Sequence, residues 1–425
     1  MTTRLYRAVT VVGAAQIISH AGAYYLPAVM ATQASQELSI SSATVFAGLS
    51  LALAVSAITG PTAGKLVDRF GGRPVLLVSN LLLALGLSLL ALSQSLGMLL
   101  VAYAVLGLGM AAGMFEVAFA AIVHLFGKNS RNALTGVTLV AGFASVAGWT
   151  LSVFVEARYG WRGACWFWAA MNVFVAMPLN ALLPSAAAAS GAKPDSTTQG
   201  SAHTKLEPKS PLQQTGHSQV SATQTPMPHA SVPATTAEQS PPPAHYAAAL
   251  LAFVFAASGF ISMGMMSHLP KLLEGFGVPL AVAFSVGALV GPAQISGRIL
   301  DFAFLRKFHP LVGTRIAALA HPTGVLALIC LGAPFAALFV ILHGLGNGIL
   351  IISRGTLPLA IFGPQGFGQR QGWLTMPAKF AQAIAPFLFG LALAEWGAGV
   401  LWLTCGLALC IFAALCLIRG AARNA

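Results

Sequence analysis

The sequence predicts an all-helical integral membrane protein, with twelve transmembrane helices in two related six-helix halves. Three observations carry that prediction. The 425-residue chain is 57% hydrophobic and 8% charged, with a mean hydropathy of +0.79, whereas soluble domains carry about 25% charged residues. Its apolar residues fall into a dozen runs, each near the ~20 residues a helix needs to cross a bilayer. Short glycine and charge motifs of the first part also return, in the same order, in the second.

Hydropathy and turn residues place six spans at 9–30, 43–63, 75–93, 97–124, 133–154 and 163–183. The first follows Arg4 and Arg7, is too long for the apolar core of a cleavable leader and lacks a convincing cleavage site, so it reads as a retained helix. Span 2 ends in a turn holding four charges and three glycines, Gly64-Lys65-Leu66-Val67-Asp68-Arg69-Phe70-Gly71-Gly72-Arg73. A tight turn between spanning helices is one of the few places where such charge can sit. Six more spans follow at 247–268, 280–300, 312–333, 335–360, 373–394 and 398–418. Between the sets, 184–246 is rich in Pro, Ser, Thr, Gln and Ala, without apolar periodicity. Such a segment buries too little surface to offset its ordering entropy and is expected to be a disordered cytoplasmic tether. The chain thus divides into an N-terminal half at 1–183, the linker at 184–246 and a C-terminal half at 247–425.

Charge sets the expected orientation. With the N-terminus inside, thirteen of the 22 lysines and arginines fall in short cytoplasmic loops or tails, against Arg158, Arg162 and Lys271 outside. This is the positive-inside pattern, with both termini cytoplasmic. The net charge of +12 therefore reports topology and not a nucleic-acid partner. All five cysteines lie in expected spans without zinc-type spacing, as packing residues. No Walker-type phosphate loop and no catalytic constellation occurs, so neither an enzyme nor an ATP-driven pump is expected, and no cofactor or metal is implied.

The 64–73 turn resembles the loop between helices 2 and 3 of the major facilitator superfamily, G-x-L-x-D-R-x-G-R-[KR], with the extra Gly72 shifting the second basic position. Gly297-Arg298-Ile299-Leu300-Asp301 repeats Gly64 to Asp68 at a shift of 233 (301 − 68), and Gly344-Leu345-Gly346 repeats Gly107-Leu108-Gly109 at 237 (344 − 107). Two parallel halves related by an axis along the membrane normal describe that superfamily's architecture. Gly160-Trp161-Arg162 is similar to its usual entry to helix 6. The segment from Arg354 to Leu359, with Phe362-Gly363, resembles helix 10 of some bacterial members. Two marks depart from the family: Tyr103 stands where an arginine precedes the helix 4 glycines, and helix 5 lacks the Gly-Pro pair of drug–proton antiporters.

The resemblance implies a monomeric secondary transporter in the plasma membrane, the inner membrane of a bacterium, working by alternating access. It also implies that helices 1, 4, 7 and 10 line a central cavity. Asp68 is expected to meet a helix N-terminus or a basic partner, with Arg69 and Arg73 reaching carboxylates of the other half as a conformational latch. Arg298 and Asp301 are the C-terminal echo. Ionisable residues inside spans are costly, which makes Glu116, Arg354 and Lys379 candidates for substrate or proton binding. Glu116 maps onto Ser353 by the repeat, beside Arg354, so these two are expected to face each other across the cavity. Lys379 ranks lower, because helix 11 is a supporting helix and a lysine stem can snorkel. His20, with Tyr24 on helix 1, and Asn347 on helix 10 complete the candidates; His268, His321, His343, Gln16 and Gln294 serve equally as packing or bridging residues. Met263, Met265 and Met266 read as lipid-facing or packing residues.

The excess of Arg354 and Lys379 over Glu116 favours a small organic anion, such as a monocarboxylate, with Glu116 or His20 carrying a symported proton. One alternative is proton-coupled export of hydrophobic or cationic compounds. Another is a membrane sensor that signals through the linker without transporting.

Overall fold

The computed structural model describes residues 2–184 and 244–418. The expected linker falls outside these residues except at its edges, where a helix already begins at Ala244. The described chain is helical apart from short turns and groups into twelve rods, as the sequence predicts. In the first part these are α1 (2–37), α2 (Ser42–Phe70), α3 (Gly72–Leu92), α4 (96–126), α5 (131–159) and α6 (161–183). In the second they are α7 (Ala244–Glu274), α8 (Leu280–Ala303), α9 (Pro310–Leu331), α10 (Ala336–Phe362), α11 (Phe367–Trp396) and α12 (Val400–Leu417).

The rods start and stop for local reasons. Ser41 and Ser95 cap α2 and α4 by accepting the N–H of Thr44 and Met98. Gly71, at φ 82°, turns the chain between α2 and α3, a conformation that costs any residue with a Cβ. Gly160 does the same at φ 67° between α5 and α6, where one apparent helix folds back on itself.

Each half has its own apolar core. Leu53, Leu87, Tyr103 and Trp168 lie at the centre of the first, Phe255, Phe339, Phe389 and Leu401 at that of the second. The outward surface is also apolar: Ile58, Phe174 and Phe387 are 63%, 77% and 69% exposed. That pattern suits a lipid solvent rather than water. The repeated glycines do the same work in both halves. Gly107 sits against the Ala52 carbonyl of α2 and Gly109 against Leu83 of α3, while Gly344 sits against Ala293 of α8 and Gly346 against the Ala317 carbonyl of α9. A Cβ at any of the four would meet an atom within 3.0 Å, so small residues are what let these backbones touch.

A third apolar cluster joins the halves at the end of the bundle that carries both termini, bringing Phe119, Ile122 and Leu76 together with Leu359 and Phe367. Here α2 and α11 meet backbone to backbone, and a Cβ on Gly64 would collide with the Gly368 carbonyl.

At the opposite end, α1 runs 36 residues (2–37), about 54 Å at ~1.5 Å per residue, so its tip projects beyond a ~30 Å hydrocarbon layer. There Glu37 pairs with Arg162 at 2.8 Å and accepts the Trp161 indole N–H. Gln33 accepts the Trp161 backbone N–H, and Arg162 also donates to the carbonyls of Ala91 and Ser93. The Gly-Trp-Arg turn is thereby tied to α1 and α3. The bonds from Trp161, then from Arg162, hold the Glu37 carboxyl below the usual carboxylate range. A depressed folded-state pKa stabilises above the unfolded value and is lost as pH falls through the folded one. Glu37→Gln should therefore lower stability at about pH 7 by about 0.2–1 kcal/mol, as for an exposed and screened pair, seen as a slightly lower melting temperature. That margin should close in acid, as pH falls through the lowered folded-state pKa, and is read by comparing melting at about pH 7 and in acid. Equal melting at both pH values would remove any charge role for Glu37.

Candidate functional site

A cavity of about 170 Å³ lies between the halves, walled by α1, α4, α5, α7, α8, α10 and α11. Four of its walls are broken helices. A π-turn at Ala21–Tyr25 interrupts α1 and holds Tyr24 and Tyr25 at the cavity. Extended backbone at Met114 splits α4 into Leu96–Gly113 and Phe115–Phe126. At 142–143 in α5 and 288–289 in α8 the interruption is milder, a tightening into i→i+3 turns with the backbone still right-handed. Irregular backbone at membrane depth survives only where protein or a cavity satisfies its polar groups. The α4 break shows how: the freed Gly113 carbonyl accepts Gln16 Nε2 at 2.6 Å. It also places Glu116 in the first turn of a new helix, where the positive end of the helix dipole favours a carboxylate.

Glu116, Arg354, His20, Tyr24 and Asn347 all line this cavity. His20 Nδ1 lies 2.9 Å from the Gln16 carbonyl, and its ring packs against Tyr24 and Phe115. Asn347 donates to Ser262 Oγ at 3.0 Å. The expected pairing of Glu116 with Arg354 is corrected by the structure. The partner of Glu116 is Lys379, at 3.6 Å, and Lys379 also donates to Ser56 Oγ at 2.8 Å. Lys379 does not snorkel: it is 4% exposed and points from α11 into the contact with α2 and α4. The reason is rotational. Helical spacing puts Glu116 and Arg354 at similar depth, but the α4 break turns Glu116 toward α11.

Arg354 keeps its side chain at the cavity with Nε unpartnered and, among the described residues, no ion pair; its backbone carbonyl accepts Gln371 Nε2 at 2.9 Å. Arg298, expected in the latch, instead lines the cavity and is 5% exposed. It crosses to the other half, donating from Nη1 to the Thr138 carbonyl at 2.7 Å, and its Nε is also unpartnered. Gly142 leaves it room, since a Cβ there would meet Arg298 Nη1 at 2.7 Å. Met263 and Met266, expected to face lipid or pack, line the cavity, while Met265 is buried. Tyr25, Ser262 and Gln382 were not among the sequence candidates. Tyr25 was signalled only by its place beside Tyr24; Ser262 and Gln382 carried no sequence signal.

At the termini end, Asp68 reaches across the halves. Its two oxygens accept the backbone N–H of Gly368 and of Gln369, both at 2.9 Å, at the start of α11. Arg69 and Arg73 do not reach carboxylates: among the described residues the ion pairs are Glu37–Arg162 and Glu116–Lys379. Arg69 is exposed and lies over the Phe70 ring at 5.0 Å. Asp301 likewise joins no ion pair, and the echo of the Asp68 contact is replaced by Arg131, which donates to the carbonyls of Leu305 and Phe308. These bonds and the third apolar cluster close the cavity at this end.

The Major Facilitator Superfamily model matches residues 12–339. The chain therefore belongs to the Major Facilitator Superfamily and is a multi-pass membrane transporter, not an enzyme. Among solved structures it is similar to the crystal structure of the human organic anion transporter MFSD10 (TETRAN), with a TM-score of 0.65 and 15% identity over 97% of this chain and 99% of that one. At that identity the likeness shows the shared fold. No curated protein matches the sequence at a significant level.

Proposed function

We propose that the protein carries a small organic anion, such as a monocarboxylate, across the plasma membrane by alternating access, with proton symport. The observation that supports this is the charge balance of the cavity. Arg298 and Arg354 bring two guanidinium groups without carboxylate partners, while the one carboxylate, Glu116, is matched by Lys379. In a low-dielectric site that excess is costly until an anion enters. A guanidinium also presents a planar fork that fits a carboxylate. That MFSD10 is described as an organic anion transporter agrees with this reading. The wall of Tyr24, Phe115, Phe119, Met114, Met263 and Met266 favours the second reading, export of hydrophobic or cationic compounds.

A melting screen of the purified full-length protein against carboxylates, sugars and cationic drugs separates the two, because a ligand stabilises by RT ln(1 + [L]/Kd). Carboxylates alone should raise the melting temperature, and should then be taken up by proteoliposomes. Stabilisation by cations and neutral drugs alone would replace the anion with the exporter reading. Absence of flux for every stabilising compound would favour a sensor.

In this reading the termini end is cytoplasmic and Asp68 latches it. Asp68→Asn keeps the shape but removes the charge at the α11 N-terminus and one of two acceptors. It should shift the balance between closed and open ends by about 5- to 150-fold, seen as faster labelling of a cysteine placed in the cavity from the cytoplasmic side and as slowed transport. Unchanged labelling and flux would reduce Asp68 to a structural helix cap.

A further inference from the structure

Inside the second half, away from the main cavity, two histidines face each other. His321 on α9 and His343 on α10 place their Nδ1 atoms 3.0 Å apart, and both side chains are about nineteen-twentieths buried, at 6% and 5% exposed. Nδ1 to Nδ1 contact at that distance requires one ring to donate and the other to accept. A neutral pair therefore has one bridging proton, one outer N–H and one outer bare nitrogen. His321 Nε2 is buried without a partner, which is a costly arrangement for a residue whose only task is packing.

The pair borders a second, small cavity of about 20 Å³, above the ~10–15 Å³ that one water needs. Asn347 lines both this cavity and the main one. It lies four residues after His343, on the same face of α10, and donates to Ser262 on α7. One side chain thus stands between the histidine pair and the space where substrate is proposed to bind. The surfaces turned to the pair from α7 and α12, at Ser258, Ile261, Ala408 and Ile411, carry no charge. Beyond them, Cys405 lies on α12, Arg315 on α9 is held by the Leu415 carbonyl, and Arg354 on α10 faces the main cavity. No carboxylate neighbours the pair among the described residues, so a proton bound there would be held by the second imidazole alone.

We propose that His321 and His343 form the proton-binding site of this transporter, taking up one proton as a bridged imidazole–imidazolium pair, with Asn347 linking that charge to occupancy of the substrate cavity. The proton adds to the bare outer nitrogen, the bridging N–H···N is kept, and the pair passes from neutral to a single positive charge. Neither Glu116 nor His20 suits the task as well. Protonating Glu116 would strand the charge of Lys379, and His20 packs against Tyr24 and Phe115 rather than against a second imidazole that could share the charge. The charged pair would attract an anion into the adjacent cavity, which is the direction symport requires. This coupling rests on the anion reading; proton binding itself does not.

The experiment has two arms. In the first, the full-length protein labelled with 15N-histidine is titrated in lipid bilayers across about pH 5 to 8. Wild type should show a bridged pair whose resonances move together with uptake of one proton, and His343→Gln should abolish that joint titration. A pair that stays neutral throughout, or two rings that titrate independently, overturns the proposal. In the second arm, proteoliposomes take up radiolabelled lactate under an imposed pH gradient or by exchange at equal pH. His321→Gln and His343→Gln should each cut gradient-driven uptake at least about ten-fold while keeping exchange within about two-fold. Gradient-driven uptake that survives both substitutions overturns the coupling. Should wild type titrate as expected yet move no carboxylate, the anion reading fails and the proton site stands. Should the variants not fold, the wild-type titration decides by itself.

Discussion

Arg354→Lys should raise the apparent KM for a carboxylate substrate by about ten- to a hundred-fold, or about 1.4–2.7 kcal/mol, while leaving expression and melting temperature close to wild type. Lysine keeps the positive charge and most of the apolar stem, but replaces a fork of parallel donors by a point charge. Uniform loss of binding without loss of turnover appears as a higher KM at unchanged maximal rate. The structure sharpens this expectation, because among the described residues Arg354 has no carboxylate partner and its Nε is unpartnered, so the guanidinium is not engaged there in holding helices together by an ion pair. Arg298→Lys provides a comparison. It should cost transport and stability together, since Arg298 also bonds the Thr138 carbonyl across the two halves. Equal KM values for wild type and Arg354→Lys, with an identified carboxylate, would take the substrate off this residue.

The second large effect concerns Glu116 and Lys379. Either Glu116→Gln or Lys379→Gln leaves one buried charge without its partner, which costs about 3–5 kcal/mol in comparable sites. The pair Glu116→Gln with Lys379→Gln removes both charges, so it should recover much of that loss. The cycle would give a coupling energy of about 1–3 kcal/mol. The cycle of Glu116 with Arg354 should couple more weakly, because those two charges form no ion pair. Melting of the purified variants in one detergent measures all of these. Strictly additive losses for Glu116 and Lys379 would mean that the 3.6 Å contact carries no coupling energy in the folded protein.

These two residues also show where reading along the chain reaches its limit. That Glu116, Arg354 and Lys379 deserve attention was legible without coordinates, because an ionisable side chain among some twenty apolar ones is expensive wherever it points. Which of them meet was not legible. Pairing depends on the rotation of each helix about its axis, and the break at Met114 resets that rotation within α4. Arg298 was misread for a related reason. Its likeness to the 64–73 turn suggested a latch role, yet the missing Cβ at Gly142 of α5 leaves room for its guanidinium at the cavity. The histidine pair was visible only as two separate residues, since 321 and 343 lie on different rods and no spacing rule joins them.

The sequence by itself determined the membrane class, the twelve rods, their division into two halves and the glycine contacts that recur in both. Each follows from terms that add residue by residue: transfer of apolar side chains into lipid, and the small volume of glycine at helix crossings. Tertiary structure alone decided the chemistry of the interior. The partner of Glu116, the two guanidinium groups left facing the cavity, the grip of Asp68 on the first amides of α11 and the meeting of His321 with His343 all depend on how each helix is rotated and packed against the others. The physical reason is one of range. Partition into the bilayer is a property of each residue and its near neighbours, whereas a buried charge or hydrogen bond is set by the one group on another helix that lies within about 3–4 Å of it.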